Sequence, residues 1–178
     1  MKRLYTPWRS SYASNVQSFK DPHATSDQCV FCCQLRTAND EKNHILRRYK
    51  HSYLVMNKFP YNAGHLLILP LEHVQSLDQL SPEARAEIME LTSAAVNVLQ
   101  NAINAQGVNV GINLGRAAGA GIPSHLHVHV LPRWQGDTNF LPAIAHVKTI
   151  SFDLDEIYHK LKPFFDSFNL EEKNATNT

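Results

Sequence analysis

From residue 125 to residue 131 the chain reads His-Leu-His-Val-His-Val-Leu, three imidazoles alternating with aliphatic side chains. A period of two is the signature of a β-strand, whose successive side chains leave on opposite faces. The pattern predicts a strand running to Leu131, with Leu126, Val128 and Val130 in the core and His125, His127 and His129 together on the other face. Three imidazoles on one face are costly to desolvate and gain little as packing. Imidazole is a nucleophile, a proton carrier near neutral pH and the commonest metal ligand, so the row predicts a chemical site. In an extended strand the outer two histidines stand about 13 Å apart, so neighbouring pairs can share an ion and the whole row cannot. That leaves the middle residue, His127, as the candidate attacking group, working on an anion.

The segment leading into the row supplies a place for that anion. Asn113 to Ser124 contains Gly115, Gly119 and Gly121, and glycines let backbone N–H groups converge on an anionic ligand. Arg116 and Ser124 add a charge and a hydroxyl, and phosphate is the expected anion. A third motif is Cys29-x-x-Cys32. Three cysteines crowded at 29, 32 and 33 do not form the spread framework of a secreted disulfide protein. No βαβ unit follows them, which argues against a thioredoxin-like redox site. Half of a metal site is the better reading, with two distant histidines completing the Cys₂His₂ set that suits tetrahedral zinc, and free buried thiols are the alternative. Cys33 leaves a C-x-x-x-C pairing open as well.

Around these motifs the chain is of ordinary composition. Its 178 residues suit one domain, and a net charge of +1 gives no whole-chain field for nucleic acid or a membrane surface. Leu66–Leu69 is far too short an apolar run to span a bilayer, and the amino terminus lacks the apolar region of a signal peptide. A cytoplasmic location is expected. Residues 1–28 read as an irregular arm pinned by Tyr5, Trp8 and Tyr12, residues 29–142 as the core, 143–170 as an extension and 171–178 as a polar tail.

Within the core, strands are expected from Tyr53 to Met56 and from His65 to Leu69, the latter stopped by Pro70, with a loop or short helix over Arg36 to Asn43. The clearest helix runs from Pro82 to about Gln106. It is opened by Ser81 as N-cap, Pro82 and Glu83, carries an apolar stripe from Ile88 to Ile103, and is closed by Gly107. A strand over Val108 to Leu114 then forms a hairpin with the histidine strand. Leu154, Ile157, Tyr158 and Leu161 suggest a short carboxy-terminal helix interrupted around Pro163. This order predicts an α+β fold with an antiparallel sheet and one long helix packed on it.

Taken together, these motifs resemble the histidine triad superfamily, whose signature alternates three histidines with apolar residues and ends in two apolar positions. His125 to Leu131 satisfies each position. The Asn57–His65 turn, Leu66–Pro70 and His73 are similar to the family's nucleotide-binding strand pair. Phe59-Pro60-Tyr61-Asn62-Ala63-Gly64-His65 and Pro132 to Pro142 look like the branch of bacterial diadenosine tetraphosphate phosphorylases and hydrolases.

The resemblance implies cleavage of a dinucleoside polyphosphate through a nucleotidyl-histidine intermediate on His127, with water or phosphate as acceptor. It implies phosphate contacts from His129, Asn113, Gly119 and Gly121, with His125 at the edge of the catalytic site, Asn57 and Phe59 toward ribose and base and His65 completing the polar lining. It also implies zinc on Cys29, Cys32, His73 and His125, and a homodimer with the long helix as one possible interface. A glutamine common four residues before the first triad histidine is replaced by Gly121, which leaves Ser124 and backbone to hold the phosphate. Two other readings fit the same motifs: a nucleoside phosphoramidase, and a zinc-stabilised module that binds nucleotide without turnover.

Overall fold

The computed structural model describes residues 24–37, 39–145 and 152–170. The proposed amino-terminal arm, with Tyr5, Trp8 and Tyr12, and the polar tail therefore lie outside the described residues, apart from the arm's last five positions. The elements in chain order are α1 (Val30–Arg36), β1 (Ile45–Arg48), β2 (Ser52–Met56), β3 (Leu66–Pro70), α2 (Pro82–Ile103), β4 (Gly107–Ile112), β5 (Val128–Arg133), α3 (Leu141–Ile144) and α4 (Leu154–Ser167). The strands form one antiparallel sheet in the order β1-β2-β3-β5-β4. The fold is α+β, and β4 and β5 are the expected hairpin, paired from Gly107↔Arg133 to Ile112↔Val128.

Burial follows the alternation. Leu54, Met56, Leu66, Ile68, Val128 and Val130 face α2, whose Ile88, Leu91, Ala95, Leu99 and Ala102 close over them together with Leu161 and Phe165 of α4. The apolar stripe of α2 thus serves the core and is not free to act as an interface. Tyr53, Val55, Leu67 and Leu69 leave the opposite face and pack against Cys29, Phe31 and Cys32. With both faces covered, β2 and β3 are buried at each position, as continuous apolar strands require.

Several boundaries differ from the sequence expectation, each for a physical reason. β1 falls in a stretch with no clear strand pattern, because two of its four residues are arginines. Their charges are met by α4 and the preceding turn: Arg47 donates to the carbonyls of Phe165 and Asp166 at 2.6 Å, and Arg48 to Asp40. Of the loop or short helix expected over Arg36 to Asn43, the loop is what forms, with turns over residues 40–44, and a helix lies just before it as α1.

α2 begins as expected, with Ser81 Oγ accepting from Ala84 N–H. It closes three residues early, on Asn104 at φ 53° instead of Gly107. Asparagine tolerates the left-handed conformation, and the early stop frees Gly107 to pair with Arg133.

α4 runs through Pro163 without a break. A proline inside a helix costs about 3 kcal/mol. Burial of Leu161 and Phe165 on either side offsets it at roughly 1.5–3 kcal/mol each.

Finally, the ladder of β5 begins at Val128, so His125 and His127 occupy extended chain just ahead of it. The neighbouring strand ends at Pro70, whose ring nitrogen has no hydrogen to donate and whose carbonyl lies 3.0 Å from the His125 side chain.

Candidate functional site

The side-chain alternation survives the loss of the ladder. Leu126 N–H donates to the Val74 carbonyl at 2.7 Å, which keeps the approach to β5 extended. The three triad imidazoles stay on the face away from α2. His127 and His129 meet edge to face with centroids 4.9 Å apart, and His125 leans toward His73 at 5.3 Å. Phe31 of α1 lies against both His125 and His127.

Hydrogen bonding fixes which nitrogen of each ring carries the proton. His127 Nδ1 is 2.8 Å from the His125 carbonyl, which can only accept, so Nδ1 holds the hydrogen and Nε2 keeps its lone pair. Burial lowers the His127 pKa from its ordinary value, partly opposed by that same bond, and the ring is neutral at pH 7. A neutral imidazole with a directed lone pair is a nucleophile.

His129 is set the other way. The Asn57 carbonyl oxygen accepts from Phe59 N–H at 3.0 Å, which leaves the Asn57 amide to donate to His65 Nδ1 at 3.2 Å. Tyr61 N–H donates to the same nitrogen. His65 therefore carries its proton on Nε2 and donates it to His129 Nδ1 at 3.0 Å. His129 is left with an N–H on Nε2, buried and without a hydrogen-bond partner among the described residues. Burial, then the neighbouring His129 and His127, push His65 down to about 3, and burial followed by His127 pushes His129 to about 4. Ser124 Oγ is likewise buried and unpartnered. Buried polar atoms without partners are uncommon and need an account.

The turn that holds Asn57 and Tyr61 is itself fixed by Gly64. That residue sits at φ +72°, and a Cβ there would meet Ile103 Cδ1 at 2.7 Å. Of the other residues expected near a phosphate, Asn113 and Gly121 are half-buried, and Phe59 is 62% exposed in the turn beside His65. Gly119 adopts φ 93°, but its N–H already donates to the Arg116 carbonyl at 2.9 Å, so the loop makes less of a nest than its glycines suggest.

A second cluster lies at the His125 end. Cys29 precedes α1 and Cys32 lies in its first turn, which brings the two thiols to one side. The ligand atoms of Cys29, Cys32, His73 and His125 all lie within 4.8 Å of one another. His125 Nδ1 is 3.5 Å from each sulfur, and His73 Nδ1 is 3.3 Å from Cys32 Sγ.

The donor set fits a tetrahedral cation. Ligand distances of about 2.3 Å to sulfur and about 2.0 Å to nitrogen separate S and N by roughly 3.5 Å. Both Nε2 atoms donate to backbone carbonyls, His125 to Pro70 at 3.0 Å and His73 to Ala24 at 2.9 Å. That leaves both Nδ1 lone pairs facing the thiols, the outer support expected of metal-bound histidine. Burial and the adjacent Cys29 push the Cys32 thiol up to about 12, a cost that a bound cation would remove. Cys33 is exposed, its sulfur 3.2 Å from Arg36 Nη2, so the pair is C-x-x-C and not C-x-x-x-C.

Sequence reasoning assigned no role to Phe31, Tyr61, Asn62 or Asp137. Tyr61 covers the site, its ring 4.8 Å from that of His65 and stacked on His129 at 6.0 Å. Asn62 and Asp137 meet across 75 residues of chain, a contact with no local signal.

The antiparallel α+β fold described above recurs among solved proteins. A zinc-bound histidine triad family protein from Mycobacterium smegmatis superposes with a TM-score of 0.65 at 24% identity, covering 85% of this chain and 99% of that one. The HIT domain model matches residues 38–136, and the chain belongs to that family. Among curated relatives, an AP-4-A phosphorylase from Mycobacterium tuberculosis is 38% identical over 150 residues, 84% of this chain and 77% of the relative. An asymmetrical bis(5'-nucleosyl)-tetraphosphatase from Schizosaccharomyces pombe is 30% identical over 95 residues, about half of each chain.

Proposed function

We propose that the protein cleaves dinucleoside polyphosphates, diadenosine tetraphosphate among them, through a nucleotidyl group carried on His127. One observation carries the reading: Nε2 of His127 is a directed lone pair on a neutral ring, beside the His129 ring, whose buried Nε2 lacks a partner among the described residues. The relatives named as acting on such substrates support it. His127 Nε2 attacks the α-phosphorus, and the bond from phosphorus to the bridging oxygen breaks. The nucleoside polyphosphate leaves with the electron pair as an already stable anion, so strong acid assistance is unnecessary. Water or phosphate then attacks the same phosphorus and returns His127 to its neutral form.

Positioning and charge stabilisation carry such a transfer. His129 Nε2–H and Ser124 Oγ–H supply donors where the family's glutamine is replaced by Gly121. The half-buried Asn113 and Gly121 complete the phosphate contacts, with Gly119 shaping the loop. Asn57 and Phe59 face ribose and base.

Cys29, Cys32, His73 and His125 would hold zinc, which supplies a rigid cross-link between α1, the end of β3 and the triad. We extend the reading to a homodimer in the cytoplasm, which light scattering and fractionation test.

The deciding experiment incubates the protein with diadenosine tetraphosphate, with and without phosphate. AMP plus ATP identifies water as acceptor, and ADP plus ATP formed only with phosphate identifies phosphorolysis. Cleavage of a nucleoside phosphoramidate alone transfers the reading to a phosphoramidase. Tight nucleotide binding without any turnover reduces the protein to a binding module.

A further inference from the structure

The Trp134–Asp137 turn after β5 contains a carboxylate that the reaction itself does not use. The Asp137 side chain is only 6% exposed, although its neighbours lie at the surface. Its two oxygens accept from Arg133 Nε at 2.6 Å and Nη2 at 3.0 Å, from Trp134 N–H at 3.2 Å, from Thr138 Oγ1 at 3.1 Å and from Asn62 Nδ2 at 2.9 Å. Arg133 also donates to Asn109 Oδ1 of β4, so the acid is braced from both strands of the hairpin. The Asn62 bond is the one that reaches another part of the chain. Asn62 is itself buried, its amide also donates to the Pro132 carbonyl, and its own carbonyl accepts from His65 N–H at 3.3 Å.

The residue before Asn62 is Tyr61. Its N–H holds His65 Nδ1 as an acceptor and its ring lies over His65 and His129. A continuous set of contacts therefore runs from Asp137 through Asn62 and Tyr61 to His65 and on to the Nε2–H of His129.

We infer that Asp137 is a positioning residue: by anchoring Asn62 it holds the Tyr61 turn against His65, and so fixes the tautomer and direction of His129. The inference rests on the proposed reading of the site for its consequence in turnover, and not for its structural content. A plain loop staple would stabilise the hairpin without touching the imidazoles. Asp137 does both because the turn it secures contains the donor that His65 needs. Charge alone is not the requirement, since the link to Asn62 needs an acceptor oxygen at that place.

The test compares Asp137→Ala and Asp137→Asn in the full chain. In Asp137→Ala, hydrogen exchange at the Tyr61 amide is expected to quicken at least about tenfold while Val128–Val130 stay protected. The ¹⁵N imidazole signals of His129, a single Nε2–H tautomer in the unchanged protein, become a mixture of two. With diadenosine tetraphosphate, kcat/KM falls roughly ten- to a hundredfold, the scale on which a misplaced catalytic group is felt. Asp137→Asn, whose amide oxygen still accepts from Asn62, recovers most of that loss and restores the single tautomer.

An unchanged His129 tautomer in a folded Asp137→Ala protein overturns the inference, as does a mixed tautomer with unchanged kcat/KM. If the unchanged protein cleaves no dinucleoside polyphosphate, the functional reading fails and the tautomer spectra alone decide this one. Should Asp137→Ala fail to fold, Asn62→Ala breaks the same link from the other side and is judged by the same spectra.

Discussion

At the His125 end of the imidazole row, both ring nitrogens have partners. Nδ1 of His125 and of His73 faces sulfur, and each Nε2 donates to a carbonyl. At the other end, His127 keeps a lone pair and His129 an N–H that no described residue meets. The two ends share one strand direction, one face and one residue type. What separates them is the hydrogen-bond inventory of each ring, and a ring with a nitrogen to spare is the one that can do chemistry on a ligand. The ends are also joined: the residue that gives Nδ1 to the cysteines gives its carbonyl to His127.

The sharpest way to break this contrast is His127→Asn. The variant keeps a polar side chain of smaller size and removes the nitrogen proposed to attack. Removing a nucleophile of this kind is expected to lower kcat by roughly 10⁴-fold or more, with little change in melting temperature. Turnover of diadenosine tetraphosphate measured beside thermal unfolding checks it. Activity within tenfold of the unchanged protein would assign the chemistry to another group.

Cys29→Ser acts on the other end. Metal analysis of the purified variant should find far less than one equivalent of zinc, against about one in unaltered protein never exposed to chelator. A metal present at a thousand times its dissociation constant stabilises the fold by about 4 kcal/mol, so a marked drop in unfolding temperature should follow. Activity should fall as well, because the His125 carbonyl that orients His127 loses its anchor. Full activity in metal-free protein would show the two ends to be independent.

These contrasts are partly legible in the amino-acid sequence. Alternation over residues 125–131 placed the three histidines on one face, and the caps at Ser81 and Pro82 marked the start of α2, because both signals are local. The C-x-x-C pair was visible for the same reason, but its partners His73 and His125 came from family resemblance and not from spacing. What local pattern could not give was partnership across the fold. β1 was hidden because two arginines in four residues look like surface until α4 is seen to accept from them. The closure of α2 at Asn104 and the passage of α4 through Pro163 are decided by the pairing of Gly107 and the burial of Phe165. The glycines of the loop are visible in sequence, but not that the Gly119 N–H donates to the Arg116 carbonyl. Nothing in a linear reading assigns a ring proton to His129, because that depends on Asn57, Tyr61 and His65 meeting in space.

A smaller effect is read through pH. Burial holds His65 at about 3, against an ordinary 6.5. Between those values the unfolded chain binds a proton that the native ring refuses. Stability is therefore fully present above pH 6.5 and declines as pH falls, by about 1.4 kcal/mol per pH unit for this one group. Urea unfolding at pH 7, 6 and 5 should show the decline, and His65→Gln should flatten it by about one proton. A slope unchanged by the substitution would mean that the ring is not held neutral.

The smallest expected effect tests which cysteines belong to the Cys/His cluster. Cys33 follows Cys32 directly, yet one residue further round a helix turns its side chain by about 100°. Its sulfur accordingly leaves the cluster, lies exposed and meets Arg36 and the Asp27 carbonyl. Cys33→Ser should leave zinc content, melting temperature and kcat unchanged within error, whereas Cys32→Ser should reproduce the losses of Cys29→Ser. Loss of metal in Cys33→Ser would move the pair to C-x-x-x-C and draw α1 into a different register over the sheet. Phe31 would then no longer lie against His127 as it does here, at 5.5 Å between ring centroids.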